Sequence, residues 1–554
     1  MKEKIKNILE TVGLKHPSIN KVGSSTATVE QSSLDKENDK KATTTTTPIQ
    51  FESFNENIAE IYRYRQQIGV NLGSLFILES WLCPPSLKNS VKGNWSSELD
   101  FLILCEKEKK DAKEILQHHW QTYITTKDID FLEQQGINAV RLPIGYWLIH
   151  PDRLLPKHDA YYPYRFIYQH TWDHYVLPLV HYCEQKKIGV LIDLHGLPGG
   201  QNNDDHCGIQ SSSTSSFFNA SKYQDLYFLI FDDMMKQLIH VNNIIGVELV
   251  NEPINHPNLL GFYQRACQHM LTLYKQQHSS TKTYLPLYLA DGWKPGDFIN
   301  YLYPQLHYPF IVLDTHQYFC HAPSDHEKTA QQHEDHIQHK LANFLSLQGK
   351  KVNHNIIIGE WSMVLNGKSM KGAMTNERQI MMAFGQCQAK VWSNIGGHFY
   401  WTYRTGDDKW YWSLKYCIRE NLVPWLNNYK EEYQKRKKSS LDQLKESQLS
   451  AYQHDYLPSH LKYWKQQQQN TKDNMFYQQI EKNSGLYEQG FKDGLNVAIR
   501  FYHYETTYKI GFTTQLMLDY RSRLSKSTSL DQHYLWQYEH GFLLAIEKVE
   551  AALN

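Results

Sequence analysis

Short apolar runs rich in β-branched residues recur along the chain, and helix-length segments separate them. They cover residues 69–73, 139–144, 188–195, 245–253, 286–293, 310–318, 356–361 and 396–404. One separating segment, residues 125–136, starts with Thr and ends with Gly, which is typical of a helix. Alternating strands and helices form parallel sheets, so the pattern predicts an α/β fold, a (β/α)₈ TIM barrel over residues 51–428. A doubly wound sheet is the alternative.

The two ends of the chain depart from this pattern. Residues 1–50 are mostly polar and include "KKATTTTTP", so they bury too little apolar area to fold and are predicted to be mostly disordered. Residues 429–554 predict an α-helical C-terminal extension. Its segments "YEQGF" from Tyr487 and "YEHGF" from Tyr538 form a weak repeat, typical of a packed pair of helices. Because the extension is rich in Tyr and Phe, we expect it to cover part of the barrel rim that carries the polar strand ends.

Composition narrows the classes of function. The 58 basic and 58 acidic residues balance, which argues against nucleic acid or an anionic membrane as a partner. The first 20 residues lack the apolar run of a secretory signal, and no stretch of 18 apolar residues predicts a transmembrane segment. The eight scattered cysteines indicate reduced thiols. We therefore expect a cytoplasmic protein.

Polar side chains end several of the apolar runs. Asn251, Glu252 and Pro253 close the fourth run, and Glu360 lies at the end of the seventh. In a barrel these positions meet on one rim, where the catalytic side chains of this fold lie. Two facing carboxyl groups, one a proton donor and one a nucleophile, are the minimum equipment for glycoside hydrolysis. The alternative is that both are buried ion-pair partners, for instance of Arg141.

Longer motifs surround these residues. The chain contains, in this order, "GVNLGSLFILESWLCPP", "HHWQTYITTKDIDFLEQQGINAVRLPIGYWLI", "LIDLHGLPGGQN", "ELVNEP", "DTHQY", "IGEWS" and "HFYWTYRT". Over about residues 65–425 these motifs resemble glycoside hydrolase family 5, and within it the fungal exo-β-1,3-glucanases. The resemblance implies that Glu252 is the acid/base and Glu360 the nucleophile of a retaining β-glycosidase acting on a carbohydrate. We predict that it uses no cofactor.

The same resemblance implies binding roles for neighbouring residues. Arg141 and Tyr318 would hydrogen-bond the nucleophile and keep it ionised and oriented. Asn251 would hold the sugar 2-hydroxyl, and Trp401 would be the stacking platform of the catalytic sugar site. The remaining implied substrate-binding residues are Glu79, which would hold sugar hydroxyls, and His195 and His316, which would line the site.

The first motif departs from the family. Ser74 and Leu75 follow Gly73 where the family usually has Gly and Trp, and Ser80 follows Glu79 where the family usually has Pro. Leu75 offers a smaller apolar surface than Trp, so we expect the wall around Glu79 to be reshaped and short β-glucosides to be preferred over long β-1,3-glucan. In having a helical extension and no secretory signal, the chain resembles an intracellular fungal branch of these proteins.

One pattern suggests a metal. His333, His336 and His339 have a three-residue spacing that would place them on one helical face. The surrounding segment is rich in Gln and the family gives it no metal role, so a solvated insertion helix is the preferred interpretation. We predict no metal site.

The opposing functional class is a catalytically silent barrel that binds glucan or acts as a scaffold. A scaffold has no need of a complete catalytic set. The enzyme is therefore the favoured interpretation, since the chain retains Arg141, Asn251, Glu252, Tyr318 and Glu360 together.

Overall fold

The computed structural model describes residues 49–209, 216–277, 283–371, 377–408, 410–427, 429, 431, 440–470, 474–504, 507–525 and 532–553. The segment predicted to be disordered, residues 1–50, lies outside the described residues except for its last two. Residues Phe51–Asn554 form one compact unit. The boundary between residues 428 and 429 stays a prediction.

A closed barrel of eight parallel strands forms the centre of this unit. The strands are β1 Gln67–Asn71, β2 Ala139–Gly145, β3 Gly189–Gly196, β4 Ile244–Glu248, β5 Leu287–Ala290, β6 Ile311–Gln317, β7 Ile356–Trp361 and β8 Gly397–Tyr400. Every strand residue except Gln317 is buried, as expected for parallel strands with helices outside and side chains inside. The predicted TIM barrel is confirmed, and the doubly wound alternative is wrong.

Helices surround the barrel and follow most of its strands. In the described part of the chain they span Glu56–Tyr64, Pro85–Lys88, Glu98–Lys107, Ala112–Thr122, Thr126–Gln134, Pro151–Leu154, Arg165–Tyr168, Leu177–Gln185, Ser221–Leu238, Leu259–Gln276, Pro295–Asp297, Pro323–His326, Ala330–Asp335, Ala342–Gly349, Glu377–Trp392, Leu414–Arg419, Leu441–Ala451, Leu457–Asn470, Asn474–Lys482, Ser484–His503, Thr513–Ser525 and Leu535–Leu553. None of these helices is both long and apolar enough to cross a membrane.

Local chemistry explains where these helices begin and end. In the first turn of the helix Thr126–Gln134, the Asp128 carboxylate accepts from the N–H of Thr125, the residue before the helix, at 2.8 Å. This capping contact satisfies a donor left open at the helix start. Gly136 follows the same helix with φ 83°, which is the left-handed conformation that commonly ends a helix.

The helices from Leu441 to Leu553 close the amino end of the barrel, where the strands begin. Gln515 donates to the Pro309 carbonyl oxygen (2.9 Å) and accepts from the Asn355 side chain (2.9 Å), just before β6 and β7. One apolar cluster joins the helices to the lower interior of the barrel; it includes Phe491, Phe512 and Phe542 with Ala139, Leu191, Ile245 and Ile357. The expectation that the extension covers the opposite rim is wrong, because the apolar strand beginnings are what it buries.

The weak repeat forms the pair of helices Ser484–His503 and Leu535–Leu553. A Cβ on Gly490 would lie 2.0 Å from the Tyr538 carbonyl oxygen, and a Cβ on Gly541 would lie 2.1 Å from the Tyr487 carbonyl oxygen. The two copies therefore contact each other reciprocally, and each needs glycine at the same position of its repeat.

Candidate active site

Glu252 lies four residues beyond the end of β4, on the carboxyl rim of the barrel. Its φ of 43° is in the left-handed region, which a residue other than glycine rarely adopts. Two side chains from the loop after β3 hold this backbone. Gln201 Nε2 donates to the Asn251 carbonyl oxygen (3.0 Å), and Asn202 Nδ2 donates to the Glu252 carbonyl oxygen (2.8 Å).

Glu360 lies inside β7, one residue before its end. Arg141 Nη1 donates to its Oε1 (2.9 Å), and the Tyr318 hydroxyl donates to its Oε2 (2.7 Å). Hydrogen bonds from a guanidinium and a phenol stabilise an ionised carboxylate. The structure thus brings together the three residues that the family resemblance links.

The two glutamates face each other across a short gap. One carboxyl oxygen of each glutamate and one ring nitrogen of His316 all lie within 4.8 Å of one another. His316 Nδ1 is 2.8 Å from Glu252 Oε1 and 3.5 Å from Glu360 Oε2. Carboxyl pairs of retaining glycosidases are about 5–5.5 Å apart and inverting pairs about 6.5–9.5 Å. The gap is of the shorter kind.

The surroundings of the two carboxyl groups differ. Burial raises the pKa of Glu252 to about 7, so the group retains a proton near neutral pH. Burial raises the pKa of Glu360 to about 7 as well, although His316, Arg141 and the Tyr318 hydroxyl oppose that rise. Arg141 and Tyr318 donate to Glu360, whereas among the described residues the Glu252 carboxyl group is hydrogen-bonded to His316 alone, so the hydrogen bonds and not the pKa values distinguish the nucleophile.

Arg141 connects the site to a buried acidic layer beneath it. Its guanidinium forms ion pairs with Asp193 (3.1 Å) and Glu248 (2.6 Å), and Asp314 lies 4.0 Å from its Nε. Burial raises the pKa of Asp193 to about 7, and burial with the nearby Glu248 charge raises the pKa of Asp314. A single guanidinium cannot neutralise all these carboxyl groups, so some of them hold protons.

Asn251, His195 and Trp401 line one side of the site. Asn251 Oδ1 accepts from Arg141 Nη2 (2.8 Å), and its Nδ2 is 3.4 Å from His195 Nε2. The Trp401 ring lies parallel to the His195 ring with centroids 5.8 Å apart. These predicted binding residues are thus in contact with one another and, through Arg141, with Glu360.

Glu79 lies in the loop after β1. Trp81 Nε1 donates to its Oε2 (2.9 Å), whereas no described residue hydrogen-bonds its buried Oε1. Burial, followed by the charge of Glu360, raises the pKa of Glu79 to about 8. A buried carboxyl group with an unused oxygen is suited to holding a hydroxyl group of a ligand.

The two substituted residues of this loop lie in different surroundings. Ser74 has φ 60°, and its Oγ accepts from the Glu79 N–H (3.1 Å). Leu75 is 1% exposed and belongs to the main apolar core. The Leu75 side chain therefore offers no apolar surface to a sugar, and the expected reshaping of the wall around Glu79 stays a prediction that rests on Ser74. Ser74 contacts the backbone that carries Glu79 directly.

Several residues of the site were missed by the strand-end pattern. Asn202 and His206 lie in the loop after β3, and His206 Nε2 is 3.7 Å from Glu252 Oε2. Glu248 and Asp314 lie inside β4 and β6. A carboxylate within a buried apolar run was a usable signal for these two, because such groups are rarely buried without a partner. The loop residues gave no such signal.

Aromatic side chains surround the mouth of the site. Trp293 follows β5, is 55% exposed, and lies perpendicular to the His316 ring with centroids 6.1 Å apart. Trp81 and Trp412 pack edge to face at 5.6 Å. Their flat apolar faces are suited to the faces of sugar rings.

Within the described part of the chain, two side-chain groups have donor spacing compatible with a metal ion, namely Glu248, Asp314 and His316, and Glu252, His316 and Glu360. Arg141 pairs with a carboxylate of each group, so a cation would meet an existing positive charge. The lack of a metal role stays a prediction.

The histidine series after β6 is only partly solvated. His333 is buried, its Nε2 lies 3.2 Å from the Asp325 carbonyl oxygen, and its ring packs against Phe319 at 5.6 Å. The interpretation as a solvated insertion helix is therefore wrong for this residue, which anchors the helix Ala330–Asp335 to the apolar core.

A closed parallel barrel with two facing glutamates on its carboxyl rim defines the class of a glycoside hydrolase. The chain belongs to glycoside hydrolase family 5, since residues 105–407 match the family described as Cellulase (glycosyl hydrolase family 5). Residues 445–553 match the Glucan 1,3-beta-glucosidase 3 C-terminal domain. The protein is an O-glycosyl hydrolase, and the silent scaffold is set aside.

Relatives of known sequence agree with this assignment. Glucan 1,3-beta-glucosidase 3 of Schizosaccharomyces pombe is 30% identical over 384 residues, covering 66% of this chain and 75% of the relative. An uncharacterized glycosyl hydrolase of Saccharomyces cerevisiae is 27% identical over 511 residues, covering 88% and 91%. A probable glucan 1,3-beta-glucosidase A of Aspergillus niger is 27% identical over 355 residues, covering 60% and 76%.

Proposed function

We propose that the protein is a retaining β-glycosidase that hydrolyses terminal β-glucosidic bonds in β-glucosides or β-1,3-glucan-like oligosaccharides. The observation that carries this proposal is the short gap between Glu252 and Glu360, with His316 Nδ1 within 3.5 Å of both. Two relatives named glucan 1,3-beta-glucosidase support the glucan part of the proposal.

In the first step, Glu252 donates its proton to the glycosidic oxygen while that oxygen leaves the anomeric carbon. The Glu360 carboxylate bonds to the same carbon and forms a glycosyl–enzyme intermediate. Arg141 and Tyr318 keep Glu360 ionised and aimed until it reacts. Because its pKa is raised to about 7, the Glu252 carboxyl group is still protonated near neutral pH and can donate that proton.

In the second step, Glu252 accepts a proton from water as the water oxygen displaces Glu360 from the sugar. Once Glu360 is bonded to the sugar it carries no negative charge, so it no longer favours the protonated form of Glu252. The same carboxyl group can therefore act first as an acid and then as a base.

The remaining residues would bind the sugar. The Trp401 ring would stack on one face, Asn251 would hold the 2-hydroxyl, and the unused oxygen of Glu79 would hold other hydroxyls. His195, which lies between Trp401 and Asn251, would line the same side of the site.

One of the two arguments for a preference for short substrates, the covering of the rim by the helical extension, is contradicted by the structure. The helical extension lies at the amino end of the barrel, so it does not narrow the carboxyl rim. The preference now rests on the loop that carries Ser74 and Glu79. Values of kcat/KM for β-1,3-linked glucose oligomers of increasing length, measured beside soluble polymer, test it directly. Efficient polymer hydrolysis would contradict the preference and leave the hydrolase assignment intact.

The stereochemistry of hydrolysis tests the mechanism. We expect proton NMR of the sugar first released from an aryl β-glucoside to show the β-anomer before mutarotation sets in. Glu360→Ala protein, which lacks the nucleophile, is the matched blank. Initial release of the α-anomer would contradict a double displacement.

We propose a cytoplasmic location, supported by the state of the cysteines. All eight are buried and none forms a disulfide, as expected in a reducing compartment. Asn94 provides a test, because it is exposed and begins an Asn-X-Ser sequon. Mass spectrometry of the native protein should find this asparagine unmodified, whereas a glycan on it would place the protein in the secretory pathway.

A further inference from the structure

Strand β7 contains one residue more than its neighbours where it reaches the site. Against β6, Ile358 pairs with Thr315. The next pair is Glu360 with His316, so the ladder skips Gly359. Against β8, the register is interrupted just after Ile358 as well. An extra residue in a strand is a β-bulge, which changes the direction of the side chains that follow it.

The bulge decides which way Glu360 faces. Ile357 belongs to the apolar cluster inside the lower barrel, whereas Ile358 belongs to the main apolar core, which includes residues of the surrounding helices. Strict alternation would place residue 359 inside and Glu360 outside, toward the helices. The extra residue reverses this order, and the Glu360 carboxylate instead accepts from Arg141 inside the barrel. The nucleophile therefore depends on the bulge for its direction.

Two side chains hold the backbone of the bulge. Asp314, in β6, accepts from the Gly359 N–H through its Oδ1 (2.7 Å). Asn71, at the end of β1, donates through its Nδ2 to the Gly359 carbonyl oxygen (2.9 Å). A Cβ on Gly359 would lie 2.0 Å from Asp314 Oδ2, so only glycine permits this close approach.

The amide of Asn71 has a single orientation. Its Nδ2 faces the carbonyl oxygens of Gly359 and, in β8, of Tyr400 (3.3 Å) and Phe399 (3.4 Å). Its Oδ1 accepts from Arg141 Nη1 (2.9 Å). A carbonyl oxygen only accepts and a guanidinium only donates, so the amide cannot be reversed. The residue is 0% exposed and lies out of reach of a substrate.

The same amide restricts the guanidinium that binds the nucleophile. Nη1 of Arg141 carries two hydrogens, and both are used, one by Asn71 Oδ1 (2.9 Å) and one by Glu360 Oε1 (2.9 Å). Nη2 donates to Asn251 Oδ1 (2.8 Å), and Nε donates to Glu248 Oε2 (2.6 Å). With one hydrogen of Nη1 fixed by Asn71, the other points at Glu360.

We propose that Asn71 is a positioning residue that holds the nucleophile Glu360 in its attacking orientation, by fixing the bulge at Gly359 and the guanidinium of Arg141 relative to each other. The inference rests on the double displacement proposed above, in which Glu360 attacks in the first step and is displaced in the second. Asn71 exchanges no proton and forms no bond to the substrate. A misplacement of about 1 Å at a reacting group can cost about a hundredfold in rate.

The titratable groups that face Glu360 make its orientation visible in a pH profile. They are Glu79 after β1, Arg141 in β2, Glu252 after β4, Asp314 and His316 in β6, and Tyr318 after β6. Burial raises the pKa of Glu360 to about 7, and His316 and Arg141 oppose the rise. If Arg141 loses its fixed direction, this opposition weakens and the pKa of Glu360 rises further. The acidic limb of the kcat/KM–pH profile, where Glu360 becomes protonated, then moves to higher pH.

A slow substrate tests the nucleophile by itself. With a dinitrophenyl 2-deoxy-2-fluoro-β-glucoside, the Glu360 carboxylate bonds to the anomeric carbon and dinitrophenolate leaves. The fluorine slows release of the sugar, so labelled protein accumulates and can be counted by mass spectrometry.

Asn71→Leu removes both the donor and the acceptor at similar size. We expect its rate constant for labelling at saturating reagent to fall about 10–100-fold. The half-saturating concentration of the reagent should change little, because Asn71 does not contact the sugar. With an aryl β-glucoside as substrate, the acidic limb should lie about half a pH unit higher. Asn71→Ser is a smaller second variant should the leucine variant not fold.

Asn138 provides a matched control at the opposite end of the barrel. It is also 0% exposed, and its amide also connects two parts of the backbone. Its Nδ2 donates to the Gln66 carbonyl oxygen (2.9 Å), and its Oδ1 accepts from the Ile68 N–H (2.8 Å). Asn138→Leu should lower the midpoint of thermal unfolding, as Asn71→Leu does, but leave the labelling rate constant of the folded protein and the acidic limb unchanged.

Two results would overturn the role of Asn71. One is labelling at the parent's rate constant, with an unshifted acidic limb, in a folded Asn71 variant. The other is the same fall in the labelling rate constant in Asn138→Leu protein, which a purely structural role would produce. If the parent protein is not labelled on Glu360, the proposed function fails instead, and the two failures are thereby distinguished.

Discussion

The two ends of the barrel differ in the polarity of the side chains that they bury. At the carboxyl rim, Arg141 is surrounded by buried carboxyl groups, and Glu79 keeps an oxygen that no described residue bonds. At the amino end, aromatic and aliphatic side chains of the strands and of the extension share one apolar cluster. Polar side chains also connect the barrel to the extension there, as where the Asn355 side chain donates to Gln515 (2.9 Å).

The difference separates chemistry from stability within one fold. Buried carboxyl groups with incomplete bonding reduce the stability of the folded chain, but they supply the shifted pKa values that catalysis needs. Apolar burial at the other end stabilises the fold without touching the reacting groups. Substitutions at the rim should therefore change rate constants and pH profiles, and substitutions at the amino end should change the free energy of unfolding.

The largest effect is expected from removing the nucleophile. Glu360→Ala should lower kcat by roughly four orders of magnitude or more, because no covalent intermediate can form. Added azide should restore turnover of an activated aryl β-glucoside and yield an α-configured glycosyl azide, identified by NMR. The midpoint of thermal unfolding should not fall, since the change removes a buried carboxyl group. Full activity in this variant would contradict the assignment of Glu360.

The next largest effect concerns the acid. Glu252→Gln should lower kcat/KM by about 10²–10⁴ for an alkyl β-glucoside and far less for a dinitrophenyl β-glucoside, because only a poor leaving group requires protonation. With the good leaving group, stopped-flow measurement should show a burst followed by slow turnover. The same loss on both substrates in the first step would show that Glu252 is not the acid.

A glycine at the amino end should affect stability alone. Gly490→Ala places a Cβ 2.0 Å from the Tyr538 carbonyl oxygen, so the paired helices must separate, at a cost of about 1–3 kcal/mol in the free energy of unfolding. The midpoint of thermal unfolding should fall, while kcat/KM and its pH profile at low temperature remain those of the parent.

Gly485→Ala is the matched control in the same helix. A Cβ there meets nothing within 4 Å, and alanine favours a helix more than glycine does. The control should be as stable as the parent or slightly more so. Equal destabilisation by the two variants would contradict the reciprocal glycine contact.

The smallest effect is expected in the first loop of the rim. Ser74→Gly relieves a left-handed φ but removes the hydrogen bond to the Glu79 N–H. The loss of one such bond costs about 1 kcal/mol, so KM should rise about fivefold with little change in kcat. Ser86→Gly, at an exposed position of the short helix Pro85–Lys88 that follows this loop, is the control. A fall in kcat without a change in KM would show that Ser74 acts on the chemical step.

The sequence predicted the barrel well because apolar runs report burial. Each predicted run overlaps a strand, and the runs end on the rim where the site lies. The fourth run shows what apolar periodicity does not report. It extends through Glu252, whereas β4 ends at Glu248 and Glu252 has a positive φ. Hydrophobic periodicity does not encode a backbone conformation that two side chains of another loop, Gln201 and Asn202, hold in place.

The position of the extension could not be predicted for a different reason. An aromatic-rich set of helices needs an apolar surface, but its composition does not say which end of a barrel provides that surface. In the structure, a Cβ on Gly396 would lie 2.3 Å from the Phe512 ring, so a glycine just before β8 leaves room for the extension. Such a fit depends on residues more than 100 positions apart, which no local pattern reveals.

The closure of the amino end has a consequence for how this protein can be divided. A chain shortened near residue 428 would lose Phe491, Phe512 and Phe542 and would leave Ala139, Leu191 and Ile245 open to water. Although residues 105–407 and 445–553 match two separate families, they do not make two transferable modules. Gene fusions, domain grafts and minimal catalytic fragments made from this enzyme should therefore keep the chain through Leu553.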